Sequence, residues 1–214
     1  MSTLRTISGF KERLAGGGAR PNLFEVELGS FPAPLQASWG TGAGQESDTF
    51  KFLCKSAALP ASNISPIEVP FRGRTLKVAG DRTIDAWTVT IINDEDFKLR
   101  TAFEVWMNSI SKLTNNTGAT SPAAYMTDAF VHQLGRGAGE LFSQTNSELT
   151  NGTAIKPLRT YKFYDIFPTN VSQIDLSYDS GDTIEEYTVE FQVQWWTAGE
   201  NAGGGRDETG IEIS

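Results

Sequence analysis

The chain reads as a mainly β protein, an antiparallel β-barrel or sandwich with one flanking α-helix and a projecting β-hairpin. Three observations predict this. Apolar and polar side chains alternate with a period of two in several separated segments. Apolar residues fall at strong helical spacing in one segment, and Gly, Pro, Asn and Asp punctuate the intervals. With 214 residues, 39% of them apolar, the chain can bury a core of its own and is expected to fold as a single domain over 1–214.

Taken in order, MSTLRTISGFKERLAGGGARPN predicts a short amphipathic helix stopped at Gly16, Gly17 and Gly18, so that 1–18 forms an N-terminal helix and linker. It carries Glu12 and lacks the continuous apolar centre of a secretory signal. Phe24, Val26 and Leu28 alternate with Glu25 and Glu27 in a first strand. Phe50, Phe52 and Cys54 alternate with Lys51 and Lys55 and predict a second strand with one buried face. ISPIEVPFRGRTLKVAG (64–80) is a long hairpin turning at Arg72, Gly73 and Arg74; Pro66 and Pro70 confine its first arm to an edge or an irregular ribbon.

Trp87, Val89 and Ile91 alternate with Thr88 and Thr90, and the acidic run that follows has a local cause. Asn93 or Asp94 can cap a helix whose first turn holds Glu95 and Asp96, close to the positive end of its dipole. Leu99, Phe103, Trp106 and Ile110 then lie on one helical face, expected to cover the sheet. YMTDAFVHQLG (125–135) is a further strand, and 135–157 has the small, polar composition of a surface excursion. LRTYKFYDIFPTN (158–170) opens the last β section. There SQIDLSYD and EEYTVEFQVQWW are expected to pair about a turn at Asp179, Ser180, Gly181 and Asp182. In the final strand Tyr187, Val189, Phe191, Val193 and Trp195 share an inward face, while Glu186, Glu190, Gln192 and Gln194 share the other. The Gly-rich, acidic stretch 197–214 reads as a flexible tail.

Composition narrows the chemistry. A formal charge of −8 disfavours a protein that grips nucleic acid, which needs Lys and Arg against phosphates. No apolar run approaches the ~20 residues of a membrane-spanning helix. Cys54, the single cysteine, can form no internal disulfide and fits a core position in a reducing cytoplasm. His132 is also alone, without the spacing of a metal site or a catalytic triad. Gly135, Gly137 and Gly139 lack the Lys-Ser or Lys-Thr that follows a phosphate loop. No catalytic residue, metal or cofactor is expected.

What this leaves is a set of charges on the hairpin and the loop after it: Arg72, Arg74, Lys77, Asp81, Arg82 and Asp85. A solvated ribbon would carry such charges, and so would a docking element whose charge pattern sets register against a neighbouring copy.

Four stretches, together nearly half of the chain, carry a resemblance: ARPNLFEVEL (19–28), FKFLCKSAALPAS (50–62), the long block from Ile67 to Ile110, and FPTNVSQIDLSYDSGDTIEEYTVEFQVQWW (167–196). They resemble the tail tube protein of contractile-tailed bacteriophages of the T4 type, itself related in fold to the type VI secretion tube protein. The resemblance implies a β-barrel or sandwich subunit, six of which form a ring by joining sheets side by side, with rings stacked into the inner tube that conducts DNA. Against that pattern 29–49 and 135–157 read as inserted loops, and the tail is an enlargement.

The resemblance further implies a virion structural protein with no enzymatic activity, assembled in the bacterial host cytoplasm into the virion tail. Its partners would be other copies of itself, the tail sheath protein, and the baseplate and tail terminator proteins; DNA would pass without specific binding. Expected subunit and ring contacts are Arg72, Arg74, Lys77, Asp81, Arg82 and Asp85, and the expected lumen lining is Glu186, Glu190, Gln192 and Gln194. Two other readings share the composition. One is the tube of a type VI or other contractile injection system; the other is a monomeric small-ligand-binding β-barrel using Trp39, Trp87, Trp106, Trp195 and Trp196.

Overall fold

Strand-forming alternation and a single strong amphipathic helix build most of the architecture, in an order that the computed structural model makes explicit. It describes Ile7, Phe10 and residues 18–39, 46–135, 157–179 and 181–199. Most of the expected N-terminal helix, of loop 135–157 and of the tail, including Gly137 and Gly139, lies outside the described residues.

The elements are β1 (Phe24–Leu28), α1 (Ala33–Trp39), α2 (Glu46–Leu53), β2 (Cys54–Ala57), β3 (Asn63–Phe71), β4 (Arg74–Thr83), β5 (Trp87–Ile92), α3 (Lys98–Ile110), a 3-10 turn (Pro122–Ala124), β6 (Thr127–Leu134), β7 (Pro157–Val171), β8 (Glu186–Gln192) and β9 (Trp195–Gly199). One sheet has the strand order β1-β6-β7-β8-β5-β2, with β9 paired to β7 off that path; β3 and β4 form a separate two-stranded sheet. The pairs β2/β5, β5/β8, β7/β8 and β3/β4 are antiparallel.

Two compact units divide the chain. The larger comprises Val26–Val131 and Tyr161–Thr197, and its core is aromatic. Helix α3 turns Leu99, Ala102, Phe103 and Trp106 inward. Phe103 meets Tyr187 and Phe191 of β8 with ring centroids 6.5 and 5.9 Å apart, and Trp106 meets Phe191 at 6.0 Å. Trp39 of α1 stacks on Phe31 at 4.6 Å and sets its edge against Trp106 at 5.7 Å. Trp87 stacks on Phe163 at 4.6 Å, and its Nε1–H donates to Ala58 O at 2.9 Å. The helix therefore covers the sheet as its periodicity predicts, burying the β face that would otherwise meet water.

The smaller unit comprises Met1–Glu25, His132–Thr160 and Ala198–Ser214. Within its described residues Leu134 N–H donates to Leu23 O at 2.9 Å, and Gln133 Nε2 donates to the carbonyls of Arg20 and Leu23 at 2.8 and 2.7 Å. His132 Nδ1 shares a hydrogen bond with Thr160 Oγ1 at 2.8 Å.

Several elements differ from the reading of the sequence. Among the described residues two further helices join the expected flanking helix, and both begin inside 29–49, read as an inserted loop. The alternation of Phe50, Phe52 and Cys54 is split: Glu46–Leu53 is helical, burying Phe50 and leaving Phe52 exposed, and only from Cys54 does the chain become a strand. The cap of α3 is Phe97, in the left-handed region at φ 53, so Glu95 and Asp96 precede the helix instead of opening it. Asp94 still serves the helix start, since its carboxylate accepts from Lys98 N–H at 3.3 Å.

The segment SQIDLSYD forms no strand; β7 runs to Val171 and is itself the partner of β8. Nor is the final strand continuous. It breaks at Val193 and Gln194, so Tyr187, Val189, Phe191 and Val193 are buried as expected while Trp195 is 44% exposed and stacks on Tyr164 at 3.7 Å.

Desolvation at the head of β2 pushes the Cys54 thiol up to about 12 from its ordinary 9.0, outweighing the Ser56 backbone, which favours the thiolate. The folded chain holds that proton more tightly than the unfolded chain. The resulting stability is therefore complete below pH 9 and is lost as pH climbs from there toward 12. Denaturant titrations across this window should show falling stability for the native chain and a flatter profile for Cys54→Ala. A thiol-reactive dye at pH 8 should label Cys54 several-fold more slowly in the folded chain than in denaturant, because the raised pKa leaves little thiolate.

Candidate assembly surfaces

The β3–β4 hairpin owes its tight turn to Arg72 and Gly73, at φ 44 and 80, which give two left-handed residues in succession. That geometry matches the twist of paired strands, and Gly73 meets it without steric cost. Farther down, the register slips by one residue between the Ile64–Arg82 and Pro66–Ala79 pairs. Gly80 sits at this irregularity, where a Cβ would lie 2.5 Å from Ser65 O; only glycine lets the strands approach so closely.

Pairing of Ile67 with Val78 and of Val69 with Leu76 puts Ile67, Val69, Phe71, Leu76 and Val78 on one face. All five are exposed, from 44 to 66%. The other face carries the cross-strand pair Glu68 and Lys77, joined by an ion pair of 3.6 Å, with Pro70 and Thr75. A contiguous apolar row on an exposed ribbon is the kind of surface at which partners dock. Reading the sequence for charge missed this row, although its period-two spacing was visible.

The six expected contact residues are not one cluster. Arg72 and Arg74 stand at the hairpin tip, with the Arg72 guanidinium 5.4 Å from the centre of the Phe71 ring, and Lys77 lies partway along β4. Asp81 and Arg82 lie beyond the irregularity near the base, roughly 25 Å from the tip at about 3.3 Å per residue. Asp85 follows β4 and accepts from Asn63 Nδ2 at 2.5 Å. Tip and base can therefore meet different surfaces.

A second surface is the sheet face turned away from the aromatic core. Register places Glu186 opposite Ile92, Glu190 opposite Thr88 and Gln192 opposite Phe167, while Tyr187, Val189 and Phe191 point inward. Glu186, Glu190 and Gln192 therefore share one face, as expected from the sequence. Gln194 does not follow from that register: it lies in the break before β9, its backbone N–H donating to Tyr164 O at 3.3 Å.

Asp165, at φ 53, supplies an extra residue in β7 that lets both Phe163 and Ile166 face the core. Lys162 and Tyr164 are left on the opposite side. Lys162 pairs with Asp128 at 3.1 Å and lies 4.1 Å from the Tyr164 ring centre; Lys55 pairs with Glu186 at 2.5 Å. Partial burial works against the Lys162 charge, but Asp128 and Tyr164 outweigh it and hold its pKa above the usual lysine value. Each of these two cations thus sits beside an acid. The part of this surface formed by Lys162 and Tyr164 was not found from the sequence, because YKFYDIF gives no sign of which aromatic turns outward.

Among the described residues no group of three or more His, Cys, Asp or Glu side chains is placed to hold a metal ion, and no helix is long and apolar enough to cross a membrane. Trp39 and Trp106 are packed in the core, whereas Trp87, itself 3% exposed, and Trp196 border a small cavity of about 210 Å³.

Residues 19–198 match the family model described as phage tail tube protein. Over 182 residues the chain is 35% identical to the tail tube protein gp19 of Enterobacteria phage T4, covering 85% of this chain and 93% of that one. In fold it is similar to the tube-terminating cap of the anti-feeding prophage, at a TM-score of 0.55 and 14% identity over 86% of this chain and 92% of that one. It is also similar to a chain of the sheath-tube complex of an extracellular contractile injection system, at a TM-score of 0.52 and 14% identity over 89% and 97% of the two chains.

Proposed function

Because this chain belongs to the phage tail tube protein family, we propose that six copies close into a ring and that rings stack into the inner tube of a contractile tail, through which DNA is ejected. The observation that carries this reading is the β3–β4 hairpin. It exposes an apolar row that the subunit's own core leaves uncovered. Strands β1 and β2 end the path of the main sheet, and pairing such edges between neighbouring copies would remove them. Sheath, baseplate and terminator proteins would complete the particle, in the virion tail and after assembly in the host cytoplasm. The role is structural throughout, with no catalytic group.

The face bearing Glu186, Glu190 and Gln192 is the proposed lumen wall, with Gln194 at its border. Lys55 and Lys162 are each matched to an acid, so this wall offers phosphates little free positive charge, and DNA slides past without the cation contacts that would hold it. Arg72, Arg74, Lys77, Asp81, Arg82 and Asp85 are the polar contacts between copies.

Negative-stain microscopy of concentrated protein, alone and with baseplate seeds, is expected to show hollow rings or tubes. A protein that stays single in both conditions overturns the proposal. Arg82→Glu should leave the unfolding transition unchanged. It should raise the protein concentration needed for tube growth by about tenfold, the equivalent of ~1.4 kcal/mol at a charged contact. Sedimentation of assembled material measures it.

A further inference from the structure

We propose that the apolar face of the β3–β4 hairpin docks into the concavity formed by the segment joining β7 to β8 of a second copy of this chain. This rests on the tube reading and specifies one of its contacts. Among the described residues of the larger unit, that segment is another surface where large apolar side chains stand exposed close together: Leu176, Tyr178 and Ile184 are each at least 72% exposed. They surround a concavity of about 650 Å³ lined by Gln173–Tyr178 and Thr183–Glu186. Ile174, Leu176 and Tyr178 recur at every second position, as in a strand, yet the segment belongs to none.

Charge selects the occupant. Residues 172–185 hold Asp175, Asp179, Asp182 and Glu185 and no Lys or Arg, while Glu186 at the rim is taken by Lys55. Residues 63–83 hold Arg72, Arg74, Lys77 and Arg82 against Glu68 and Asp81. Since Lys77 pairs with Glu68, the tip arginines remain to meet the acids of the concavity. Opposite signs speed the encounter and fix the register, while the two apolar surfaces supply contact area. Hairpin against hairpin would instead set arginine against arginine. Because the two surfaces differ, the contact is head-to-tail: each copy presents a hairpin to one neighbour and a concavity to another, so the contact can repeat without limit.

Two variants test this, each reversing one side: Arg72→Glu with Arg74→Glu, and Asp175→Lys with Asp182→Lys. All four side chains are on exposed residues, so both variants should keep the wild-type circular dichroism spectrum and melting temperature. Wild-type protein forms tubes, each variant alone forms at least tenfold less sedimentable material, and an equimolar mixture recovers tubes, because each altered surface then meets its reversed counterpart. Separately, Val69→Cys combined with Ile184→Cys should give a disulfide-linked ladder on non-reducing gels that neither single variant gives. If wild type forms tubes but either reversal assembles normally alone, or the mixture fails to recover, this contact is wrong and the tube reading stands. If wild type never forms an annular assembly with seeds, the tube reading fails and takes this contact with it.

Discussion

Replacing Trp106 by alanine is expected to lower the free energy of unfolding by about 3–5 kcal/mol, the range for truncating a buried tryptophan. Trp106 is fully buried and joins helix to sheet. Its ring lies 4.9 Å from Phe31, 5.7 Å from Trp39 and 6.0 Å from Phe191, and its Nε1–H donates to Tyr125 O at 2.6 Å. Alanine removes all of these contacts and leaves a cavity that neither α3 nor the sheet can fill without moving. Trp106→Phe keeps most of the packing but strands the Tyr125 carbonyl, at a cost of about 1–3 kcal/mol. Urea unfolding followed by circular dichroism measures both. A loss below about 1 kcal/mol for the alanine variant would contradict the placement of α3 against the sheet.

The second large effect concerns assembly and should leave the subunit's fold intact. Val69 and Leu76 lie directly across from each other on the apolar face of the hairpin. The double change Val69→Glu with Leu76→Lys retains the net charge and lets the new side chains attract each other across the strands. Burial of each apolar side chain in an interface is worth about 1.5–3 kcal/mol, so losing both should raise the concentration needed for tubes by 100-fold or more. The unfolding free energy should change by no more than about 0.5 kcal/mol, because both sites are exposed in the single subunit. Sedimentation and microscopy measure the first quantity and chemical denaturation the second. Tubes at wild-type concentration would remove the hairpin from the assembly contacts.

Period-two alternation locates β1, β5 and β8 because each has one face against the core and one away from it. The same rule fails at Phe50, Phe52 and Cys54, where eight residues of helix bury a single side chain and leave no clear stripe. For α1 a signal was present: Phe31, Leu35 and Trp39 are four apart and all buried, and Pro34 near the helix start is favourable for a first turn. Reading 29–49 as an inserted loop rests on the resemblance to the family and passes over this spacing.

Ile174, Leu176 and Tyr178 fail for a different reason. Side chains that another copy covers obey the same patterns as side chains the subunit buries itself, and burial in the single chain is needed to tell them apart. The hairpin row hid in the same way. Its alternation reads simply as a strand, and the charges beside it are the more conspicuous feature. Likewise, nothing in the local pattern marks the break at Val193 and Gln194, which depends on β9 finding β7.

A ribbon of only two strands, with neither face covered, has little to hold it in shape by itself. Much of the entropy of setting it straight therefore falls due when it first touches a neighbour. A first encounter between two free molecules gains one contact for that cost, whereas a molecule joining a finished layer gains several. Polymerisation should accordingly show a lag that pre-formed ends shorten.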